Sequence, residues 1–234
     1  MAEAASKGSK TQRTRVNRAT VVASKTSRTK PQDGSARKPR SRERYNERRA
    51  EVVDIAARVF AERGYHATSI DDLVEATGLK RGGLYHYIDG KHSLLTAIHE
   101  RFIDPLLAES EEIVARGEPP EDTLRLLAFA LMRDIATFNN QVTVFLHEWR
   151  VIENDPEWRD IRRSRKKFES LIESVLKAGE EEGAFSVRDR KITLLAFLGM
   201  LNYSYQWYHT GGRAPYEKIA AEFCDIFLNG IRAH

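Results

Sequence analysis

The strongest constraint on this fold is a helical run that a glycine breaks after about two turns and that resumes at once. In "ATSIDDLVEATGLKRGGLYHYIDGKHSLL", Ile70, Leu73 and Val74 form the apolar face of a short helix. Thr68 or Ser69 can cap its start, with Asp71 or Asp72 three residues on to complete a capping box. Gly78 ends it, and Leu79 opens a second short helix. Upstream, Val52, Ala56, Val59 and Phe60 recur at i, i+4, i+7 and i+8, which predicts a longer amphipathic helix ending at Gly64. A long helix followed by two short ones around a glycine turn is the helix-turn-helix layout.

The second short helix carries an unusual residue set. Gly82 and Gly83 each cost a helix roughly 1 kcal/mol relative to alanine, so something large is expected to approach that backbone. Lys80 and Arg81 stand where a helix entering the major groove presents donors to base edges, with His86 beyond them. Thr68 or Ser69, Tyr85 and Lys91 are placed to hold phosphates on either side. The competing reading, aromatic core plus a solvated basic face, explains each residue singly but not the set with Gly78 in the turn.

The charge distribution points the same way. Residues 1–44 hold 13 Lys/Arg against 3 Asp/Glu, leaving 25 basic and 31 acidic residues beyond them, so the net charge of +4 describes the start of the chain and not its body. Residues 1–42 are rich in Ser, Thr, Lys and Arg and contain no aromatic, a composition read as a disordered basic tail able to track phosphates. No apolar export segment stands there, which favours the cytoplasm. The longest apolar run, "LLAFLGML", is far short of the roughly 20 residues a membrane span needs. A single Cys224 excludes an intrachain disulfide and a multi-thiolate metal site, and it reads as packing.

From Glu43 onward the pattern is helical almost without interruption. Leu94, Leu95, Ile98, Phe102 and Leu106 continue a fourth helix; "RGEPPED" reads as a loop, with Glu118 to Glu121 separating it from a fifth, "DTLRLLAFALMRDIATF"; Asn139 and Asn140 mark the next break. "VTVFLHEWRVI" reads as one helix, Pro156 opens a long charged one to about Glu182, and two more follow, the last with Ile219, Phe223, Ile226, Phe227 and Ile231. The expectation is an all-α protein of about nine helices without a convincing strand. Residues 43–91 are expected to form the DNA-binding helix-turn-helix domain and 92–234 a second helical domain, for which the resemblance that follows implies ligand binding and dimerisation.

The segment from Glu43 to Phe102 resembles the DNA-binding signature of TetR-family transcriptional repressors, with the family's leucine, tyrosine and lysine at Leu84, Tyr85 and Lys91. Lys80 departs from it, standing where the family often has a Ser or Thr cap; the helix then starts less firmly, or Lys80 reaches a phosphate or base. The resemblance implies a homodimer, a near-palindromic operator, repression, and release by a small molecule in the C-terminal domain. The interface is expected on the last two helices, because "ITLLAFLGMLNYSYQWY" has more apolar faces than one core needs.

"FLHEWR", "EEGAF" and "QWYHTGG" are similar to TetR-type regulators of lipid and acyl-CoA catabolism, which implies an acyl-CoA-type effector. Such a thioester needs an apolar slot and cations for its phosphates. Phe129, Phe145, Trp149, Leu198 and Tyr203 are candidate lining, and Arg162 and Lys166 of "RDIRRSRKK" are candidate phosphate contacts. His147 beside Glu148 reads as a core or pocket-wall histidine, since adjacent helix positions diverge by about 100 degrees.

No HExxH, GxSxG, Walker or CxxC pattern is present, so neither catalysis nor a resident cofactor or metal is expected. The rival function is nonspecific nucleic-acid compaction, or membrane-surface binding, driven by the polybasic tail. Sequence-selective DNA binding would separate the two. Activation instead of repression is decided by operator position, which the protein sequence does not carry.

Overall fold

A computed structural model describes residues 38–233, so the tail over residues 1–37 lies outside the described part. Ten α-helices follow one another: α1 (Lys38–Arg63), α2 (Ile70–Thr77), α3 (Arg81–Leu84), α4 (Lys91–Ala115), α5 (Pro120–Thr137), α6 (Asn139–His147), α7 (Trp149–Asn154), α8 (Arg159–Glu181), α9 (Arg190–Tyr203) and α10 (Tyr216–Ile231). Short 3₁₀ turns precede α8 at Pro156–Trp158 and follow α9 at Ser204–Gln206. Among the described residues the only extended pairing is an isolated bridge between Phe185 and Arg232.

The all-α class stands, with one more helix than expected. The difference lies at Glu148, where the backbone leaves helical geometry at φ −89°, ψ 6° and divides "VTVFLHEWRVI" into α6 and α7. Its carboxylate is hydrogen-bonded elsewhere, as described below. Helix α1 also starts at Lys38, earlier than the expected Glu43.

Helical faces were legible where one side of a helix is polar. Val52, Ala56, Val59 and Phe60 of α1 are buried, as are Leu94, Leu95, Ile98, Phe102 and Leu106 of α4. Each of these side chains larger than alanine contributes about 1.5–3 kcal/mol of burial free energy, so these two stripes fix α1 against the start of α4. The remainder of α4 packs on α5, α6 and α8, and α5 on α10. Gly179 in α8 is a close approach: a Cβ there would stand 2.0 Å from the Phe185 ring. This lets the chain turn at Gly183 (φ 73°), where Ser186 and Ala184 then bond the chain around Ile231 and Ala233.

Helices α9 and α10 divide their apolar residues between core and surface. Leu194, Phe197, Leu198 and Leu201 are buried, while Ile192 (65% exposed), Leu195 (50%) and Tyr203 (66%) lie outward at i, i+3 and i+11. Ile226 of α10 is 62% exposed. Cys224 is buried and burial pushes its thiol up to about 11, consistent with packing. Among the described residues no helix is long and apolar enough to cross a membrane.

Candidate nucleic-acid interface and effector cavity

Helix α2 is fixed at both ends. Ser69 accepts a hydrogen bond from the Asp72 backbone N–H at 3.1 Å, while the Asp72 carboxylate accepts from the Ser69 N–H at 2.7 Å, a complete capping box. The Ser69 hydroxyl also donates to that carboxylate at 2.6 Å, and this bond first, then the one from the Ser69 N–H, holds the Asp72 carboxyl below its usual range. At the other end Gly78 takes the left-handed conformation, φ 66°, that a side chain disfavours.

Two residues expected to meet phosphates through their side chains do not present them. Thr68 is 1% exposed and its hydroxyl donates to the Gly64 carbonyl at 2.8 Å. Lys91 reaches back from α4 to donate to the Thr68 carbonyl at 2.8 Å, with its ammonium 4.5 Å from the centre of the Tyr65 ring. Burial holds that ammonium below the usual lysine range, with Glu148 acting in the opposite sense. Thr68 and Lys91 thus tie the loop before α2 to the start of α4. They position the reading unit, and Ser69 is the exposed hydroxyl at its edge.

Helix α3 is a single turn. Lys80 occupies its N-cap position with no side-chain hydrogen bond, so the departure from a Ser or Thr cap leaves the helix start without that support. Lys80, Arg81, Gly82, Tyr85 and His86 are all exposed, with Gly83 partly covered. Arg81 donates to Asp71 of α2 at 2.7 Å, an exposed pair that a base edge or phosphate could replace. A Cβ on Gly82 would meet nothing within 4 Å, and one on Gly83 only Leu79 Cβ at 3.8 Å. The protein itself therefore does not require either glycine. Tyr45 of α1, unremarked in the sequence, supports the far side: its hydroxyl donates to the His86 carbonyl at 3.2 Å and its ring stacks on Tyr87 at 5.3 Å. Its signal was an aromatic residue in the otherwise charged segment "RERYNERR".

The second half encloses an apolar cavity of about 40 Å³. Phe102, Leu131, Val142, Phe145, Phe168 and Leu198 wall it, and Arg165, Glu169 and Asn202 are its polar lining. Arg165 lies 3.8 Å from the Trp149 ring centre and donates to Glu169 at 3.0 Å. Beyond these residues an open groove of about 380 Å³ runs past Trp149, Arg162, Lys166 and Lys191. Of the predicted effector residues, Phe145 and Leu198 line the cavity and Trp149, Arg162 and Lys166 line the groove. Arg162 is committed within the protein, donating to the Ile152 carbonyl at 2.7 Å and to that of Asp155. Phe129 and Tyr203 lie elsewhere: Phe129 packs outside on Tyr216 at 5.4 Å, and Tyr203 belongs to the exposed stripe of α9. His147 is also outside the cavity, exposed and 2.9 Å from the Tyr205 hydroxyl.

Polar contacts join the two halves. Glu148, at the α6–α7 break, accepts from the Tyr65 backbone N–H at 3.2 Å. Gln141 of α6 donates at 2.9 Å to Asp54 of α1, which also receives two bonds from Arg101 of α4. The His92 ring of α4 lies tilted against Trp158, centroids 3.8 Å apart. The helices around the cavity are therefore bonded to the elements that hold α2 and α3.

Residues 52–98 match the family described as bacterial regulatory proteins, tetR family, and residues 117–231 match a tetracyclin repressor-like C-terminal domain. The chain belongs to the TetR family of transcriptional regulators. Along 79% of its length it is 32% identical to the HTH-type transcriptional repressor KstR2 of Rhodococcus jostii, covering 91% of that protein. The Mycobacterium tuberculosis KstR2 is 30% identical over 80% of this chain and 94% of its own. A solved structure of that protein, described as a ketosteroid transcriptional regulator, superposes with a TM-score of 0.76 at 28% identity, over 81% of this chain and 97% of the other. AibR, solved with isovaleryl coenzyme A and operator DNA, superposes with a TM-score of 0.66 at 26% identity, over 76% of this chain and 97% of AibR. As a TetR-family member the protein is a DNA-binding transcriptional regulator, and α2, Gly78 and α3 are its helix-turn-helix. Nonspecific compaction by a basic tail is not the function this family carries.

Proposed function

We propose that this TetR-family protein is a homodimeric repressor of a near-palindromic operator, released when a small hydrophobic or acyl-CoA-type effector enters the cavity beside Phe145. One observation carries the reading. An aromatic-lined cavity and a groove with Lys166 and Lys191 share Arg165 and Glu169 as lining, in a protein whose cavity wall continues directly into Glu148 and hence into the Tyr65 backbone. Lys166 makes no ion pair among the described residues, so it is available to a phosphate. The cavity is much smaller than a thioester's acyl group. Effector binding must therefore displace wall residues, Phe145 and Trp149 among them, and the α6–α7 break is where that displacement meets the DNA-binding unit.

The outward stripe of Ile192, Leu195, Tyr203 and Ile226 supports dimerisation through α9 and α10. A dimer presents two copies of Arg81 and Gly82 to successive half-sites, hence the expected inverted repeat. The relatives named as repressors and the AibR complex with a coenzyme A thioester and DNA support repression and the effector class. A reader of bacterial operators works on the chromosome, and so in the cytoplasm, without catalytic chemistry of its own.

The test is fluorescence anisotropy on an operator fragment titrated with a series of acyl-CoA thioesters, free coenzyme A and the matching fatty acids. Release by thioesters, and not by coenzyme A alone, is the expected result. An operator complex indifferent to every thioester would overturn the effector class while leaving DNA recognition intact.

A further inference from the structure

Helix α4 places His99, Phe102, Ile103 and Leu106 at i, i+3, i+4 and i+7, one continuous stripe. The last three wall the effector cavity, and His99 lies directly behind that wall, one turn nearer the end of α4 that joins the helix-turn-helix. Its side chain has no solvent exposure, and its ring stands edge-on to Phe145 at 4.9 Å and tilted to Phe102 at 6.3 Å. A histidine here is not demanded by packing, since leucine or phenylalanine would fill an apolar wall without a polar atom.

The hydrogen bonds fix its chemistry. Nδ1 lies 2.6 Å from the Leu95 carbonyl oxygen; a carbonyl only accepts, so the proton is on Nδ1. Burial pulls the imidazole down to about 4, so the ring is neutral at physiological pH and Nε2 carries a bare lone pair. No described residue offers that nitrogen a donor. A buried acceptor left unmatched is unfavourable, and the displacement of Phe145 that an effector requires would bring a donor on the occupant within reach of it.

We propose that His99 is a specificity-determining residue of the effector site, whose Nε2 accepts a hydrogen bond from a hydroxyl on the apolar portion of an acyl thioester. This rests on the acyl-CoA reading of the cavity. The cations that would take the phosphates stand on α8 and α9, so the acyl end is directed toward α4. A ketone at the same place would set acceptor against acceptor and be rejected, and a plain alkyl end would leave Nε2 unmatched.

The probes are three matched series of straight-chain CoA thioesters of increasing length, with a terminal methyl, hydroxyl or aldehyde oxygen, titrated into the full-length protein by calorimetry. At the length that reaches His99 the hydroxylated thioester binds about tenfold more tightly than its methyl counterpart, the gain expected of one buried hydrogen bond. The His99→Phe variant loses that preference while binding the methyl series within about twofold of wild type, and His99→Gln, which keeps an acceptor oxygen, recovers part of it. Equal binding of the three series at every length by the wild type, or a hydroxyl preference that survives in His99→Phe, overturns the assignment of His99 alone. Binding of no thioester at all removes the acyl-CoA reading and this assignment together. If His99→Phe does not fold, the wild-type comparison of the three series still decides.

Discussion

Replacing Gly82 by alanine separates what the fold needs from what DNA needs. In the protein alone the new methyl would meet nothing within 4 Å, and Gly82 lies outside the positive-φ glycines, so alanine is accepted without strain. Alanine also forms helix more readily than glycine by about 0.5–1 kcal/mol. With α3 only one turn long, the gain belongs at the low end of that range. For a domain of this size it corresponds to a rise in Tm of about 1–2 °C. At the DNA surface the same methyl stands beside Lys80 and Arg81, where backbone and base edges are closest, and in a dimer it occurs twice. Operator affinity should fall at least about tenfold, or about 1.4 kcal/mol. The assay pairs thermal unfolding with operator binding by anisotropy at fixed salt. Gly78→Ala is the contrast: at φ 66° the side chain is strained, and stability falls by about 1 kcal/mol before DNA is involved. If Gly82→Ala binds operator as tightly as wild type, the glycine is not a point of close approach and the reasoning fails. A loss of stability would refute the steric half of the argument.

Ser69→Ala removes the N-cap acceptor of α2 and should cost about 0.5–2 kcal/mol in denaturant unfolding; an unchanged midpoint would mean that the capping box is not formed in solution. Ile226→Asp places a charge on the exposed apolar stripe of α10 and should give a folded monomer by light scattering. A dimer of unchanged stability would move the interface elsewhere. His99 adds a pH dependence of known sign. Its folded value of about 4 lies below the ordinary 6.5, so as pH falls below 6.5 the unfolded chain takes up a proton that the folded ring refuses. Between pH 7 and pH 5 that linkage removes about 2 kcal/mol of stability. The loss is absent from His99→Phe, and parallel pH profiles for the two proteins would contradict the neutral buried ring.

Much of the reading unit was legible because its determinants are local. A serine three residues before an aspartate, and a glycine where a helix must stop, specify a cap and a turn without reference to the rest of the chain. The bonds that Thr68 and Lys91 make within the protein were not legible because their partners are remote: the loop before α2 folds back on the first turn of α4, and that pairing leaves no periodic trace. Phe129 and Tyr203 were assigned to the cavity because α5 and α9 carry apolar residues on several faces. Only packing decides which face of such a helix meets the cavity and which meets solvent. Glu148 shows the same limit, since "FLHEWR" reads as uninterrupted helix until its carboxylate is found on the Tyr65 N–H. His99 had a signal that could have been read, a histidine within the buried stripe of Leu95, Ile98, Phe102 and Leu106.

The most direct test of the central claim is selection of the purified full-length protein against sheared genomic DNA of its source organism at physiological salt, with sequencing of the bound fragments and Arg81→Ala in parallel. A small set of enriched sites sharing an inverted repeat, and lost with Arg81→Ala, is the predicted result. Uniform recovery of fragments by both proteins would contradict it, because charge alone would then account for binding and α3 would not be reading sequence.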